Sequence, residues 1–163
     1  MLQQLAQNPD KLFNKPFARQ CGAICFRYRP DHLDIEILLV TSRGSRRWII
    51  PKGWPMKGKQ PHQSAAIEAL EEAGVRGKTR KTSVGSYVYL KDLANGDVRP
   101  CIVDVFQIEV IKVKCDFKER GQRICEWVSA DEAARRVREI ELKSMLINFN
   151  PRLRKVQCKG IQS

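Results

Sequence analysis

One segment restricts the possible folds of this chain more than any other: residues 64–74, with the sequence SAAIEALEEAG. At about 100° per residue, a helix here separates two faces. One face carries small and apolar residues (Ala66, Ala69, Leu70, Ala73), and the other carries Glu68, Glu71 and Glu72. We predict a helix over 62–73 that ends at Gly74, since glycine suits a left-handed cap. Its alanine-rich face must be packed against other structure.

The acidic face is unfavourable for an isolated helix. Glu68 lies one turn from Glu71 and from Glu72, and each such pair of like charges costs roughly 0.2–0.5 kcal/mol. The last turn also favours cations, by roughly 0.3–1 kcal/mol per charge, and residues 62–73 contain no Lys or Arg. A bound Mg²⁺ or Mn²⁺ would reverse these terms, because carboxylates are hard oxygen ligands. An ordinary solvated surface helix is the alternative, and the helix alone leaves both open.

The rest of the chain alternates between strand patterns and helix patterns. Apolar and β-branched stretches predict strands at 20–28, 33–41, 48–50, 84–92, 99–113 and near 124–128. The first two are separated by Arg29-Pro30-Asp31 and are expected to form a hairpin. A second helix is predicted from Ser129 onward, with Ala133, Ala134, Val137 and Ile140 on one face. This order predicts a mixed α/β domain with helices packed on a sheet.

Composition limits the class of protein. The chain has 163 residues, enough for one domain, and 42% of them are hydrophobic. No apolar run approaches the roughly 20 residues of a membrane span, and residues 1–20 lack a secretory signal. The six cysteines contain no C-x2-C pair, so we interpret them as buried small residues in a reducing cytoplasm. A cytoplasmic protein with no membrane contact is expected.

The net charge of +12 favours an anionic partner. Six basic residues and no acidic ones lie between Arg43 and Lys59, in a stretch that ends in a loop rich in Gly and Pro. This stretch directly precedes the acidic helix. Cationic side chains could therefore hold phosphates next to a metal that the helix binds, an arrangement suited to hydrolysis of a phosphoanhydride.

Residues 53–75 resemble the Nudix box, G-x5-E-x7-R-E-U-x-E-E-x-G-U, where U is aliphatic. Gly53 opens the box, Glu68, Glu71 and Glu72 match its carboxylates, and Gly74-Val75 closes it. The resemblance implies a Nudix-type α/β/α sandwich with a mixed sheet and a loop-helix-loop catalytic motif. It also implies Mg²⁺ (or Mn²⁺) bound by Glu68, Glu72 and the backbone carbonyl of Gly53 or Lys52, with Glu71 as general base.

Two positions depart from the box. Lys59 stands where the box has Glu, and Ile67 stands where it has Arg. In the family these two positions can support the loop electrostatically, so the resemblance implies that losing both removes a pair and leaves no unpaired buried charge. The metal ligands are therefore retained, and we expect the departure to affect the rigidity of the loop and hence turnover.

Beyond the box, the segments 21–28, 37–53, 71–77 and 125–137 resemble the diphosphoinositol polyphosphate phosphohydrolase branch of the family. That resemblance implies residues that hold a heavily phosphorylated substrate: Arg19, Gln20, Thr41, Ser42, Arg43, Lys52 and either Gln122 or Arg123. Gln20 replaces a basic residue of that branch. Arg43 is the strongest of these candidates, because a guanidinium fork matches phosphate geometry.

The predicted function is metal-dependent hydrolysis of a diphosphate bond in a small, highly phosphorylated molecule, such as a diphosphoinositol polyphosphate or a dinucleoside polyphosphate. One alternative is removal of pyrophosphate from an RNA 5′ end, with the basic stretch 152–159 on the RNA backbone. Another is a polyphosphate-binding module with weak turnover. The predicted organisation is an N-terminal extension (1–17), a Nudix hydrolase domain (18–147) and a basic C-terminal tail (148–163).

Overall fold

The computed structural model describes residues 17–31 and 33–152. The strands are β1 (Ala18–Tyr28), β2 (Ile35–Thr41), β3 (Trp48–Ile49), β4 (Lys52–Gly53), β5 (Val75–Thr79), β6 (Gly85–Asp92), β7 (Val98–Val113) and β8 (Cys125–Ser129). The helices are α1 (Pro61–Ala73), α2 (Ala130–Arg136) and α3 (Ile140–Ile147). Residues 1–16 and 153–163 lie outside the described residues, so the predicted tails stay predictions, as does the boundary at 147.

All eight strands belong to one mixed sheet. Its main path is β3-β2-β1-β7-β5, with β4 paired to β1, β6 paired to β7 and β8 paired to β2. The central pair, β1 with β7, is parallel, whereas the other pairings are antiparallel. The predicted hairpin of β1 and β2 is therefore confirmed.

Helices cover both faces of the sheet, and the central strands show this in their side chains. Along β2, Ile37 and Leu39 face α2 and α3, while Leu38 and Val40 face α1. All four are almost fully buried. Strands buried on both faces are continuous apolar runs in sequence, and the result is the predicted α/β/α sandwich.

Helix α1 has clear start and end signals. Pro61 occupies its first turn, and the Gln60 backbone N–H donates to the Gln63 side chain (2.8 Å). It ends at Gly74, whose φ of 68° is left-handed. The alanine face packs on the sheet through Ala65, Ala69 and Ala73. Because alanine is small, the helix lies close to the sheet and to the strands that carry the neighbouring polar residues.

The structure corrects the second predicted helix. It is two helices, because the backbone of Val137 leaves the helical region (ψ 160°) and ends α2. Ile140 begins α3 and is 78% exposed, so it does not share the buried face of Ala133 and Ala134. The predicted Ser129 cap is confirmed, since its hydroxyl accepts the Glu132 N–H (3.2 Å).

Two further differences concern β5 and the cysteines. The sequence of β5, VRGKT, has little apolar character because most of the strand is exposed beside the end of β7, so its pattern does not predict a strand. Cys21, Cys25 and Cys101 are buried as predicted, but Cys115 and Cys125 are exposed, and all five are free thiols. Cys158 lies outside the described residues.

Candidate active site

The three glutamates of α1 line one cleft, with a volume of about 470 Å³. Glu72 is buried, at 5% exposure, while Glu68 and Glu71 are partly exposed. The helical spacing that predicts a shared acidic face therefore also places all three carboxylates at the same opening.

The backbone of Gly53 lies very close to the side-chain carboxylate of Glu68. Strand β4 pairs with β1, which sets Gly53 opposite Cys21 beneath α1. A Cβ atom added at Gly53 would overlap the carboxylate of Glu68. Glycine leaves room for this carboxylate against the backbone, and we call the Glu68 carboxylate and the Gly53 backbone together the cradle.

The negative charge of α1 is balanced by cations from elsewhere in the fold. The Arg123 guanidinium pairs with the Glu72 carboxylate at 2.8 Å, and both side chains are at most 7% exposed. The Lys52 backbone N–H also donates to Glu72 (3.3 Å). At the rim, Lys118 pairs with Glu71 at 3.0 Å. Tertiary contacts thus supply the positive charge that α1 itself lacks.

Burial shifts the protonation equilibria in the cleft. It raises the pKa of Glu72 to about 7, even though Arg123 and Lys52 favour the ionised form. The pKa of Glu68 is also raised, first by burial and then by Glu71 and Glu119. Burial lowers the pKa of Lys52 to about 8, against the opposing effect of Glu72. Each group would be more fully ionised if a further charge of opposite sign were bound here.

The side chains suit a hard divalent cation in type, because all the donors are oxygen atoms. Glu68 makes no ion pair within 4 Å among the described residues, and it faces the backbone at Gly53. Within residues 17–31 and 33–152, however, no three His, Cys, Asp or Glu side chains converge closely enough to form a metal cluster. Arg123 and Lys118 hold the carboxylates of Glu72 and Glu71. The carboxylate of Glu68 and the cradle at Gly53 therefore match the predicted metal site most directly.

The structure brings most of the predicted substrate-binding residues to the cleft and leaves two outside it. Gln20, Ser42, Arg43, Lys52 and Arg123 line the cleft together with Gly53 and the three glutamates. Arg19 instead pairs with Asp104 at 2.9 Å. Thr41 is 2% exposed, and its hydroxyl accepts the Ile124 N–H (2.9 Å). In this conformation neither faces a ligand in the cleft.

Arg123 lines the cleft and is held there by three protein groups. Its Nε donates to Glu119 (2.7 Å), Nη1 to the Thr41 carbonyl (3.0 Å) and Nη2 to Glu72 (2.8 Å). With every nitrogen engaged and only 7% of the side chain exposed, Arg123 orients two acids. Nη1 and Nη2 each carry a second N–H that these bonds do not use, so binding of a phosphate by Arg123 stays a prediction.

Other lining residues are not apparent from the motif. They include Arg47, Tyr89, Lys91, Lys118 and Glu119. The Tyr89 hydroxyl donates to Gln20 (2.6 Å), which holds that amide in place. The alternation of Tyr87, Tyr89 and Lys91 along β6 is a sequence signal for one shared face, but it does not reveal which face.

Comparisons with solved structures first establish the class of fold. The chain resembles an Ap4A hydrolase from C. elegans, with a TM-score of 0.57 and 18% identity, over 81% of this chain and 95% of that one. It also resembles the NUDIX domain of Shewanella oneidensis NrtR, solved with ADP ribose, with a TM-score of 0.59 and 12% identity, over 90% and 95%. The fold is that of the Nudix hydrolases.

Sequence comparisons also find proteins similar to this chain. Nudix hydrolase 16, mitochondrial, from Arabidopsis thaliana is 26% identical over 137 residues, 77% of this chain and 76% of that protein. Diphosphoinositol polyphosphate phosphohydrolase 3-alpha from Mus musculus is 40% identical over 63 residues, 38% of this chain and only 37% of that protein. No family model matches the chain. The resemblance to the Nudix hydrolases is nevertheless confirmed in both sequence and fold, and three of these similar proteins are themselves named as hydrolases, as the predicted enzyme class requires.

No described helix has the length and apolar character needed to cross a membrane.

Proposed function

We propose that this chain hydrolyses a phosphoanhydride bond in a small, highly phosphorylated substrate, with Mg²⁺ or Mn²⁺ as cofactor. One observation carries the proposal: a single cleft is lined both by the three glutamates of α1 and by Arg43, Arg47 and Lys52. Carboxylates suit a metal and cations suit phosphates, so the cleft has groups that can bind a divalent metal and groups that can bind the phosphates of a substrate. The similarity to Nudix hydrolases supports the same reading.

In this proposal Glu68, Glu72 and the Gly53 carbonyl hold the metal, which would offset charge on the phosphates and lower the pKa of a bound water. The cationic side chains bind the substrate. Arg43 is 60% exposed at the cleft and reaches Glu119 and Gln122 only at 3.4 Å, so its guanidinium is available to phosphate oxygens. Lys52, with a pKa near 8, is mostly protonated at neutral pH.

Glu71 is the proposed general base. It lines the cleft and its partner, Lys118, is 67% exposed. An exposed ion pair is weak, so the Glu71 carboxylate can exchange Lys118 for a water molecule at little cost. The more buried Glu72, by contrast, is held from two directions and suits a fixed ligand.

The class of substrate is proposed from the same evidence. The cluster of cations favours a molecule with several phosphates, and the relatives include proteins named for diphosphoinositol polyphosphates and for Ap4A. Both substrates remain candidates. The RNA alternative depended on residues 152–159, most of which lie outside the described residues. A cytoplasmic location also stays a prediction, which the free thiols of the described cysteines suit.

A substrate panel tests the proposal. Purified protein is incubated with Mg²⁺ or Mn²⁺ and with a diphosphoinositol polyphosphate, a dinucleoside polyphosphate or triphosphorylated RNA, and the products are separated. We expect metal-dependent cleavage of one of the two small substrates, abolished by EDTA. Cleavage of RNA alone would favour the alternative enzyme.

A binding module with weak turnover is the second candidate, and one observation favours it. Arg123 and Lys118 already neutralise two of the three motif carboxylates, and two supporting positions of the box are Lys59 and Ile67. Tight polyphosphate binding without any product in the panel would support this candidate.

A further inference from the structure

A cluster of two cations and one aromatic ring adjoins the cleft: Trp54 and Lys91 line it, and Arg99, which does not, lies beside them. Trp54 directly follows Gly53, lines the cleft and is 42% exposed. The Lys91 ammonium lies 4.6 Å from the centre of the Trp54 ring, and the Arg99 guanidinium carbon lies 5.9 Å from it. Both distances are within the range of cation–π attraction.

Lys91 and Arg99 stand directly opposite each other in the antiparallel pairing of β6 and β7. Like charges in this relation destabilise a sheet. Among the described residues, neither cation has a carboxylate partner within 4 Å, whereas Arg19, Arg47 and Arg123 each have one. The chain thus places two positive charges together and leaves them to be neutralised by something else.

The pair continues a line of positive charge that begins inside the cleft. Lys91 lines the cleft with Tyr89, and the Lys52 ammonium lies 4.9 Å from the centre of the Tyr89 ring. A ligand bound at Lys52 could therefore extend its phosphates towards Lys91 and Arg99.

We propose that Lys91 and Arg99, oriented by the ring of Trp54, form a phosphate subsite at the cleft mouth that binds phosphates remote from the cleaved bond. The inference rests on the proposed function, because it takes the cleft to be the substrate site. Lys91 and Arg99 donate hydrogen bonds to phosphate oxygens. Trp54 is a positioning residue that keeps both side chains near the opening.

The test measures binding without turnover. The full chain is titrated in EDTA by calorimetry with inositol hexakisphosphate, diadenosine tetraphosphate and pyrophosphate. For the double variant Lys91→Gln/Arg99→Gln, we expect about tenfold weaker binding of at least one of the two large probes, and pyrophosphate binding within about twofold of wild type. The probe that is affected identifies the source of the remote phosphates.

The chain offers a matched control. Arg76 and Lys112 are also directly opposed cations, in the pairing of β5 and β7, and neither lines the cleft. Arg76→Gln/Lys112→Gln removes the same net charge and should leave all three affinities within about twofold of wild type. Equal losses in the two double variants would overturn the subsite in favour of a general charge effect, as would an unchanged Lys91/Arg99 variant or a wild type that binds neither large probe.

Two substitutions test whether the aromatic ring of Trp54 positions the cations. Trp54→Phe should retain most of the affinity for the affected probe, whereas Trp54→Leu should lose several-fold, and only while Lys91 and Arg99 are present. A loss that persists in the Lys91→Gln/Arg99→Gln background would contradict the positioning role. Thermal unfolding of each variant checks the fold, and removing the opposed charges should not lower the unfolding temperature.

The two proposals fail separately. If the substrate panel shows no cleavage but the large probes still depend on Lys91 and Arg99, the proposed enzyme activity is wrong and the subsite stands. If cleavage occurs but binding of the large probes does not depend on Lys91 and Arg99, the subsite is wrong and the activity stands.

Discussion

Helices α1 and α2 both carry acidic side chains, but the two helices differ in where the balancing positive charges come from. In α2, Asp131 and Glu132 occupy the first turn and Arg135 and Arg136 the last, so the charges complement the helix dipole. In α1 the first turn has no acid and the last turn has no base. Its charges are balanced only by residues distant in sequence, above all Arg123.

The charges of α2 stabilise the helix itself, whereas those of α1 belong to the candidate active site. In α2, Glu132 pairs with Arg135 and Arg136 of the same helix, both at 2.8 Å. The acids of α1 instead depend on the packing of the loop that carries Lys118 and Arg123 and of strand β4, which carries Lys52. Charges arranged against local preference indicate function, because the fold must stabilise them by other means.

The largest expected effect is on stability, from Arg123→Met. It leaves the buried Glu72 and the partly buried Glu119 without their shared partner, and removing one side of a buried pair costs about 3–5 kcal/mol. Urea unfolding of the metal-free protein measures this. The matched variant in α2 is Arg136→Met, whose side chain is 24% exposed, so its loss should be much smaller. Similar losses for the two variants would contradict the contrast between the helices.

Glu72→Gln is expected to lower kcat/KM at least about 100-fold, equivalent to about 2.7 kcal/mol, because it removes a metal ligand. Its free energy of unfolding should change by less than about 1 kcal/mol, since the amide oxygen still accepts from Arg123. Steady-state kinetics with the substrate that wild type cleaves provide the measurement. Glu132→Gln in α2 serves as the control and should leave kcat/KM unchanged. Near-normal turnover in Glu72→Gln would exclude Glu72 as a ligand.

Gly53→Ala should lower kcat/KM by about 10- to 100-fold, because the added methyl group displaces the Glu68 carboxylate. Glu68 is flexible at its end, so the fold should yield locally and the unfolding midpoint should change little. Kinetics and thermal unfolding on the same sample separate the two effects. Loss of folding along with activity would mean that the cradle is a structural contact.

The smallest expected effect is the pH dependence of metal affinity. Burial raises the pKa of Glu72 to about 7, so at pH 6 this carboxyl is mostly protonated and has lost the charge that a cation needs. Affinity for Mn²⁺, measured by calorimetry, should be about tenfold weaker at pH 6 than at pH 8. Glu72→Gln should abolish most of this dependence.

The same shift has the opposite consequence for the metal-free protein. Between pH 4.5 and about 7 the folded chain keeps a proton on Glu72 that the unfolded chain has released. The contribution of Glu72 to the free energy of unfolding is therefore greatest below pH 4.5 and falls as pH rises through this window. A flat difference between wild type and Glu72→Gln over the window would contradict the raised pKa.

Apolar periodicity and turn residues were sufficient to predict most of the helices and strands, but not where each of them ends. The hairpin of β1 and β2 and the helix α1 follow from strong apolar patterns, and the Ser129 cap follows from a local signal. The short strand β5 is largely exposed, so its pattern is not apolar, and the helix pattern after Ser129 could not show the break at Val137. Apolar spacing reports the buried face of an element and says little where that face is small.

The sequence by itself determined that α1 carries three carboxylates on one face and that Gly53 precedes it, because helical spacing and the absence of a side chain are local properties. Only the tertiary structure decided which cations reach those carboxylates, that Arg123 pairs with both Glu72 and Glu119, and that Arg19 and Thr41 lie outside the cleft. These outcomes depend on strand pairing between residues tens of positions apart. Coulombic and hydrogen-bond energies depend on distance and burial in space, which one chain's residue order does not contain.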